Sequence, residues 1–243
     1  MALYFAARIH ALSGFDADST SDTETGQDFD EHAAQWMTDS IREIINFFPP
    51  HLLERCGKIT SASANYTNGT GVETENKVMS VIRTRNTEGT PQFDNPGDVF
   101  VCRQIPHTLS YKALDPDSME FATPTDPVWY YDHASGGDNS VLLKVLPTSS
   151  VAVTKVTTVD YPLFTAGDTE TYDVSQKTVI TNFPDEAEYL VVLRAAIYAA
   201  EYQAVIEEDP ELFLPIIQNL KQEYMQGLQA LGVVQSQPQK AGR

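Results

Sequence analysis

The stretch Asn182–Gln203, NFPDEAEYLVVLRAAIYAAEYQ, constrains the fold more than any other part of the chain. Pro184 suits a first helical turn, where a missing N–H costs nothing, and Asp185 and Glu186 face the positive end of the helix dipole. From Tyr189 to Ala200 the only charge is Arg194, and Ala195, Ala196, Ala199 and Ala200 stand in adjacent pairs one turn apart. A helix this apolar on most sides must be buried on most sides. Two coverings satisfy it: the chain's own fold, or that fold on one side and a second polypeptide on another.

A second long helix follows. Asp209 can cap it and Pro210 can start it. Phe213, Ile217, Leu220, Tyr224, Leu228 and Leu231 form one stripe, opposite Gln218, Lys221, Gln222 and Gln226. Gly232 ends the pattern, and Pro215 predicts a bend near its first turns. Near the other end of the chain, Ala34, Trp36, Met37, Ile41, Ile44, Ile45 and Phe48 recur at helical spacing, which predicts a helix over about 31–48, stopped by Pro49-Pro50. HLLERCG adds a short helical turn, with Gly57 placed to end it.

Between these helices the period changes. KVMSVIRTR, DVFVCRQI, PVWYYDH, SVLLKVLP and VAVTKVTTVDYP are short β-branched or aromatic runs, separated by the turn sequences TNGTG, DNPGD, LDPDS and SGGDNS. They predict five to seven antiparallel strands. The expected fold class is therefore α+β: a helical bundle, made of an N-terminal helix and a C-terminal helical hairpin, with an inserted antiparallel β module. The expected divisions are an acidic arm at 1–30, a helical domain at 31–57 plus 182–233, a β domain at 58–181 and an extended tail at 234–243. The arm's DADSTSDTETGQ has the opening of a calcium loop, but Ser21 stands where the sharp turn wants glycine and Gln27 where a bidentate glutamate is needed. The tail, QSQPQKAGR, has no large apolar group and cannot order itself.

Charge narrows the partners. The 243 residues carry 34 acidic and 16 basic side chains, a net −18. Such a surface repels nucleic acid, whose binding rests on Lys and Arg neutralising phosphates. No run has the uninterrupted apolar length of a membrane span, and MALYFAARIHAL lacks the basic start of a signal peptide. Cys56 and Cys102 make neither a disulfide framework nor a metal motif, so both read as buried thiols.

Chemistry is sparse. His10, His32, His51, His107 and His133 form no metal-binding pair on a helix, and there is no nucleophile elbow, phosphate loop or dinucleotide fingerprint. His107 and His133 share the β module. Asp126 and Asp132 flank the aromatic run Trp129, Tyr130, Tyr131, which is the best arrangement for a glycan-binding or hydrolytic site. Nothing in the residues requires an enzyme, a catalytic residue, a metal or a cofactor.

The order of helix, β insertion and two closing helices resembles that of virion structural proteins of tailed bacteriophages. NFPDEAEYLVVLRAAIYAAEYQ with EEDPELFLPIIQNLKQEYMQGLQALG, and CRQIPHTLSYKALDPDSMEFATPTDPVWYYDH in the middle, are similar to the head–tail connector adaptor family. The resemblance implies a ring, commonly of twelve copies, under the portal at the neck of the virion. DNA passes through it without specific binding, and a nozzle, stopper or tail-tube protein lies below. It implies synthesis in the host cytoplasm and no membrane partner. On this reading Leu190, Arg194, Ile197, Tyr198 and Glu201 are the candidate ring interface. Gln235, Gln237, Gln239, Lys240 and Arg243 are the candidate portal-docking residues. Another neck, baseplate or capsid-decorating role remains open, as does the glycan site.

Overall fold

The computed structural model describes residues 3–14, 29–74, 76–85, 93, 96–133, 141–166, 173–206 and 210–232. The chain divides into two compact units. One is built from both ends, 1–56 and 161–243, and the other is the continuous segment 57–160. The fold is an α+β mixture with a C-terminal helical pair and two sheets rich in antiparallel pairs. Residues 15–28 of the arm expected at 1–30, and the whole tail at 234–243, lie outside the described residues.

The first unit is organised around one helix. α1 spans Phe5–Ser13, α2 Phe29–Phe47, α3 Pro50–Leu53, α4 Asp185–Ile206 and α5 Pro210–Ala230. α1, α2 and α5 all pack on α4. That shell is what its composition demands: Val191, Val192, Leu193 and the four paired alanines are all fully buried. The small alanines let neighbouring helices approach from several directions. By length and composition α4 could cross a membrane; here it is the unit's central helix. α5 shows the ordinary one-sided pattern, burying Phe213, Ile217, Leu220, Tyr224 and Leu228. It continues as helix through Pro215 and ends in the left-handed Gly232.

α1 falls within the segment expected to be an arm. Its nine residues, FAARIHALS, bury Phe5, Ala6 and Ile9. The first-turn N–H groups of Phe5 and Ala6 donate to the carbonyls of Lys177 and Val174. Those bonds satisfy donors that a helix start leaves orphaned. The same contacts explain why the β unit ends at Asp160 rather than Thr181: Tyr161–Thr181 belongs to the helical unit. There the Phe164 N–H donates to the Thr38 hydroxyl, and the Phe164 ring meets Phe5 edge-on at 5.8 Å.

Among the described residues the second unit has eight short strands: β1 Gly57–Ile59, β2 Val72–Glu73, β3 Val78–Thr84, β4 Val99–Val101, β5 Arg103–Gln104, β6 Val128–His133, β7 Val141–Leu146 and β8 Thr154–Val159. They form two sheets, ordered β1-β8-β3-β4 and β2-β7-β6-β5. Each flank is crossed by continuous chain. β4 passes through Cys102 into β5, with Cys102 N–H donating to Val81 in one sheet and Arg103 N–H to Pro127 beside the other. On the far flank β1 leads through the Ser63–Thr154 bridge to Tyr66, whose carbonyl accepts from Val145 N–H, and on to β2. The result is barrel-like closure that leaves little free edge. Val81, Cys102 and Val156 pack with Trp129, Leu143, Val145 and Tyr66 inside it. One pair departs from the antiparallel expectation: β5 and β6 run parallel. The long crossover at 106–127 permits this, because parallel neighbours cannot be joined by a tight turn.

At Gly227 α5 lies against Leu190 of α4. A Cβ there would collide with Leu190, which is itself enclosed. Ala is the better helix former by about 1 kcal/mol, but overpacking costs about 1–3 kcal/mol. Gly227→Ala should therefore lower stability by about 1 kcal/mol, read as a denaturant midpoint. In a Leu190→Ala background the same change should become neutral or stabilising, because the cavity receives the methyl group.

Candidate functional site

The sole charge in the middle of α4 is held inside the helical unit. Arg194 Nε donates to Glu43 Oε2 of α2 at 2.8 Å, and an NH2 group of the guanidinium donates to the Tyr198 hydroxyl at 3.1 Å. Tyr198 donates onward to the same Glu43 oxygen at 3.1 Å. The guanidinium carbon lies 4.4 Å from the Tyr198 ring centroid and 5.8 Å from that of Tyr224 on α5. A planar cation can stack on rings and fork to a carboxylate at once, which suits Arg rather than Lys here. Burial works to lower the Arg194 pKa, but the bond to Glu43 and its charge prevail, so the net direction is upward. Burial, reinforced by the Glu43 charge, pushes the Tyr224 phenol up to about 12. Its buried hydroxyl has no hydrogen-bond partner among the described residues.

The residues expected at a ring interface make contacts within the chain itself. Leu190 is 3 % and Ile197 0 % exposed within the chain alone, so the chain's own helices already cover both. Leu190 is covered at Gly227 of α5. Arg194 and Tyr198 tie α4 to α2, and Glu201 pairs with Lys221 of α5 at 2.7 Å. The apolar width of α4 is consumed within its own unit. On α4 and α5 the large apolar side chains left exposed among the described residues are Tyr189, Val205 and Ile206, and Leu212, Leu214 and Met225. Gln235, Gln237, Gln239, Lys240 and Arg243 lie outside the described residues.

In the β unit, Asp132 collects the polar contacts. It accepts from Lys144 Nζ at 2.8 Å and from its neighbour's N–H at His133, and His107 Nε2 lies 3.2 Å away. The Lys144 hydrogen bond leads in holding the Asp132 carboxyl below its ordinary range, against the opposing effect of burial. Asp126 is drawn instead to Arg103, which also binds Glu120. The two carboxylates thus have separate cationic partners. Trp129 is 5 % exposed and lies in the β core, so its ring is not available to stack a sugar. Cys56 and Cys102 are both buried and unbridged; burial raises the Cys102 thiol to about 12, which keeps it unreactive. Among the described residues no three His, Cys, Asp or Glu side chains gather as a metal site.

Sequence reasoning missed Glu43 as the partner of Arg194, because the two are far apart in the chain. It also read LDPDS as a simple turn. That sequence belongs to the crossover at 106–127, which has its own small core of Ala113 and Ala122 with Ile105, Val128 and Leu146. The crossover exposes Tyr111, Leu114 and Met119. No family model matches this sequence, and no curated protein matches it.

The orphaned phenol yields a test. Tyr224→Phe removes an unsatisfied buried group and keeps the ring, so stability near neutral pH should be unchanged or raised by up to about 1–3 kcal/mol. A phenol raised in the folded state stabilises fully below its unfolded pKa, near 10, and loses that contribution as pH climbs through about 12. Chemical denaturation across that alkaline window should show a shallower fall in stability for Tyr224→Phe than for the parent chain.

Proposed function

We propose that this chain is a virion structural protein of a tailed bacteriophage, an adaptor that forms a ring in the head–tail connector, joins the portal to the tail and lets DNA pass. The observation that carries the reading is the architecture. A helical unit made from both chain ends is interrupted once, by a compact β unit at 57–160, in the order shared with the family that the sequence resembles. In this reading neighbouring copies pack on apolar side chains outside the helical core. Val205 and Ile206 at the end of α4, with Leu212 and Leu214 at the start of α5, are the favoured set because they are exposed at the adjoining ends of the two helices. Head-to-tail contact of this kind closes into a ring when its rotation divides a full turn. The tail from 234 docks on the portal by laying a Gln-rich backbone along it.

Imaging the neck of the particle tests the proposal. The expected result is a closed ring with rotational symmetry at the portal vertex; a single copy, or scattered copies without symmetry, overturns it. Leu212→Asp with Leu214→Asp alters exposed positions, so the fold should persist while capture by portal-bearing heads falls by about tenfold or more.

The charge generates a second expectation. With a net −18, the chain should give no gel shift of duplex DNA at micromolar protein and physiological salt, since too few cations are free to displace phosphate counterions. Tight, salt-sensitive binding would contradict a conduit from which DNA is repelled.

A further inference from the structure

The turn that carries the chain from one sheet of the β unit to the other holds the sequence Asn65-Tyr66-Thr67-Asn68-Gly69-Thr70-Gly71. We propose that Asn68 is a site of spontaneous covalent modification, converting through a cyclic imide with Gly69 to isoaspartate and aspartate. Four observations place the reacting groups. Asn68 is exposed. Its Oδ1 accepts from Thr70 N–H at 2.9 Å, which folds the carboxamide back across the Gly69 peptide. Gly69 has φ +90° with nothing within 4 Å of where a Cβ would stand, so no side chain shields the attack and the imide ring has room. The Gly69 N–H has no hydrogen-bond partner among the described residues, leaving that nitrogen free to react.

The step balances with water as the only co-reactant. Solvent base takes the Gly69 amide proton, and the nitrogen bonds to Asn68 Cγ. Charge collects on Oδ1, where the Thr70 N–H already donates, an arrangement that stabilises a developing oxyanion. The Cγ–Nδ2 bond then breaks and ammonia leaves, taking a proton from water. Water opens the imide at either carbonyl. Overall, an asparagine and a water give an isoaspartate or aspartate and ammonia, with no change of oxidation state. The isoaspartate route adds one atom to the backbone. The anchors on either side, Thr67 Oγ1 to the Ala152 carbonyl at 2.8 Å and Gly71 N–H to the Asn65 carbonyl, hold the turn in place.

Asn65 serves as an internal control. The residue after it is Tyr66, whose bulky side chain is buried in the core and hinders attack by its amide nitrogen. The experiment incubates the folded full-length chain at mildly alkaline pH beside a synthetic peptide of residues 63–71. Peptide mapping by mass follows both, together with labelling by an isoaspartate methyltransferase. The expected result is that position 68 of the folded chain gains the mass of OH over NH2 at least as fast as the peptide, while Asn65 stays intact. Labelling should fall to background in Gly69→Ala and in Asn68→Gln; the latter lengthens the side chain and leaves the turn glycine in place. Persistence of the Asn68 carboxamide in the folded chain while the peptide converts overturns the proposal. So does equal labelling in either variant.

Discussion

The burial of α4 is the constraint on which the helical unit depends. A helix with one charge in its central three turns has no face that can be left to water, so it needs neighbours all round. Three helices supply them: α1 and α2 from before the β unit, and α5 from after it. The unit therefore cannot form from either end of the chain alone. The segments before Gly57 and after Asp160 must meet, and the intervening residues become an insertion. Arg194 fits this arrangement because its charge is neutralised within the shell, by Glu43 from α2, instead of being carried to solvent. Removing one partner of such a half-buried pair strands the other, which is why a single acidic residue on α2 matters more than its surface neighbours.

The β unit meets a different constraint. Its strands are short, and two short open sheets would leave four edges of unpaired backbone. Chain continuity removes most of them. The run 99–105 and the run 57–73 each begin in one sheet and end in the other, so the core between Val81, Val156, Trp129 and Leu143 is enclosed by backbone as well as by side chains. The crossover at 106–127 follows from the same geometry, since β5 can lie parallel to β6 only if the chain returns a full strand length before pairing.

What the sequence makes legible is periodicity. α2, α4 and α5 announce themselves through apolar spacing and through Pro, Asp and Gly at their ends, and the alternating runs mark the β insertion. α1 escapes because its Phe5, Ala6 and Ile9 stripe is too short to stand out beside the acidic segment after it. Its start is completed by the carbonyls of Val174 and Lys177, far along the chain. The same pairing hides the true end of the β unit, because 161–181 lacks helical period and yet packs with helices. The residues expected at an interface are covered within the chain for a related reason. An all-round apolar helix demands cover, but its sequence does not say whose. Gly227 holds the local clue: a glycine inside α5 leaves room for Leu190, so α5 itself provides that cover.

Charge pairing bears on how DNA would meet such a chain. Six of the sixteen Lys and Arg residues, Arg8, Arg55, Arg103, Lys144, Arg194 and Lys221, are held by carboxylates in ion pairs among the described residues. A phosphate would have to displace a carboxylate already in place to reach any of them, losing one ion pair to gain another. Arg194 and Arg8 are also partly enclosed, the latter against Glu188 at 2.9 Å, so a backbone phosphate reaches them less readily still. The acidic excess therefore acts in two ways at once. It repels phosphates at long range, within the screening length of about 8–10 Å at physiological salt. At short range it occupies the cations that could otherwise have held them.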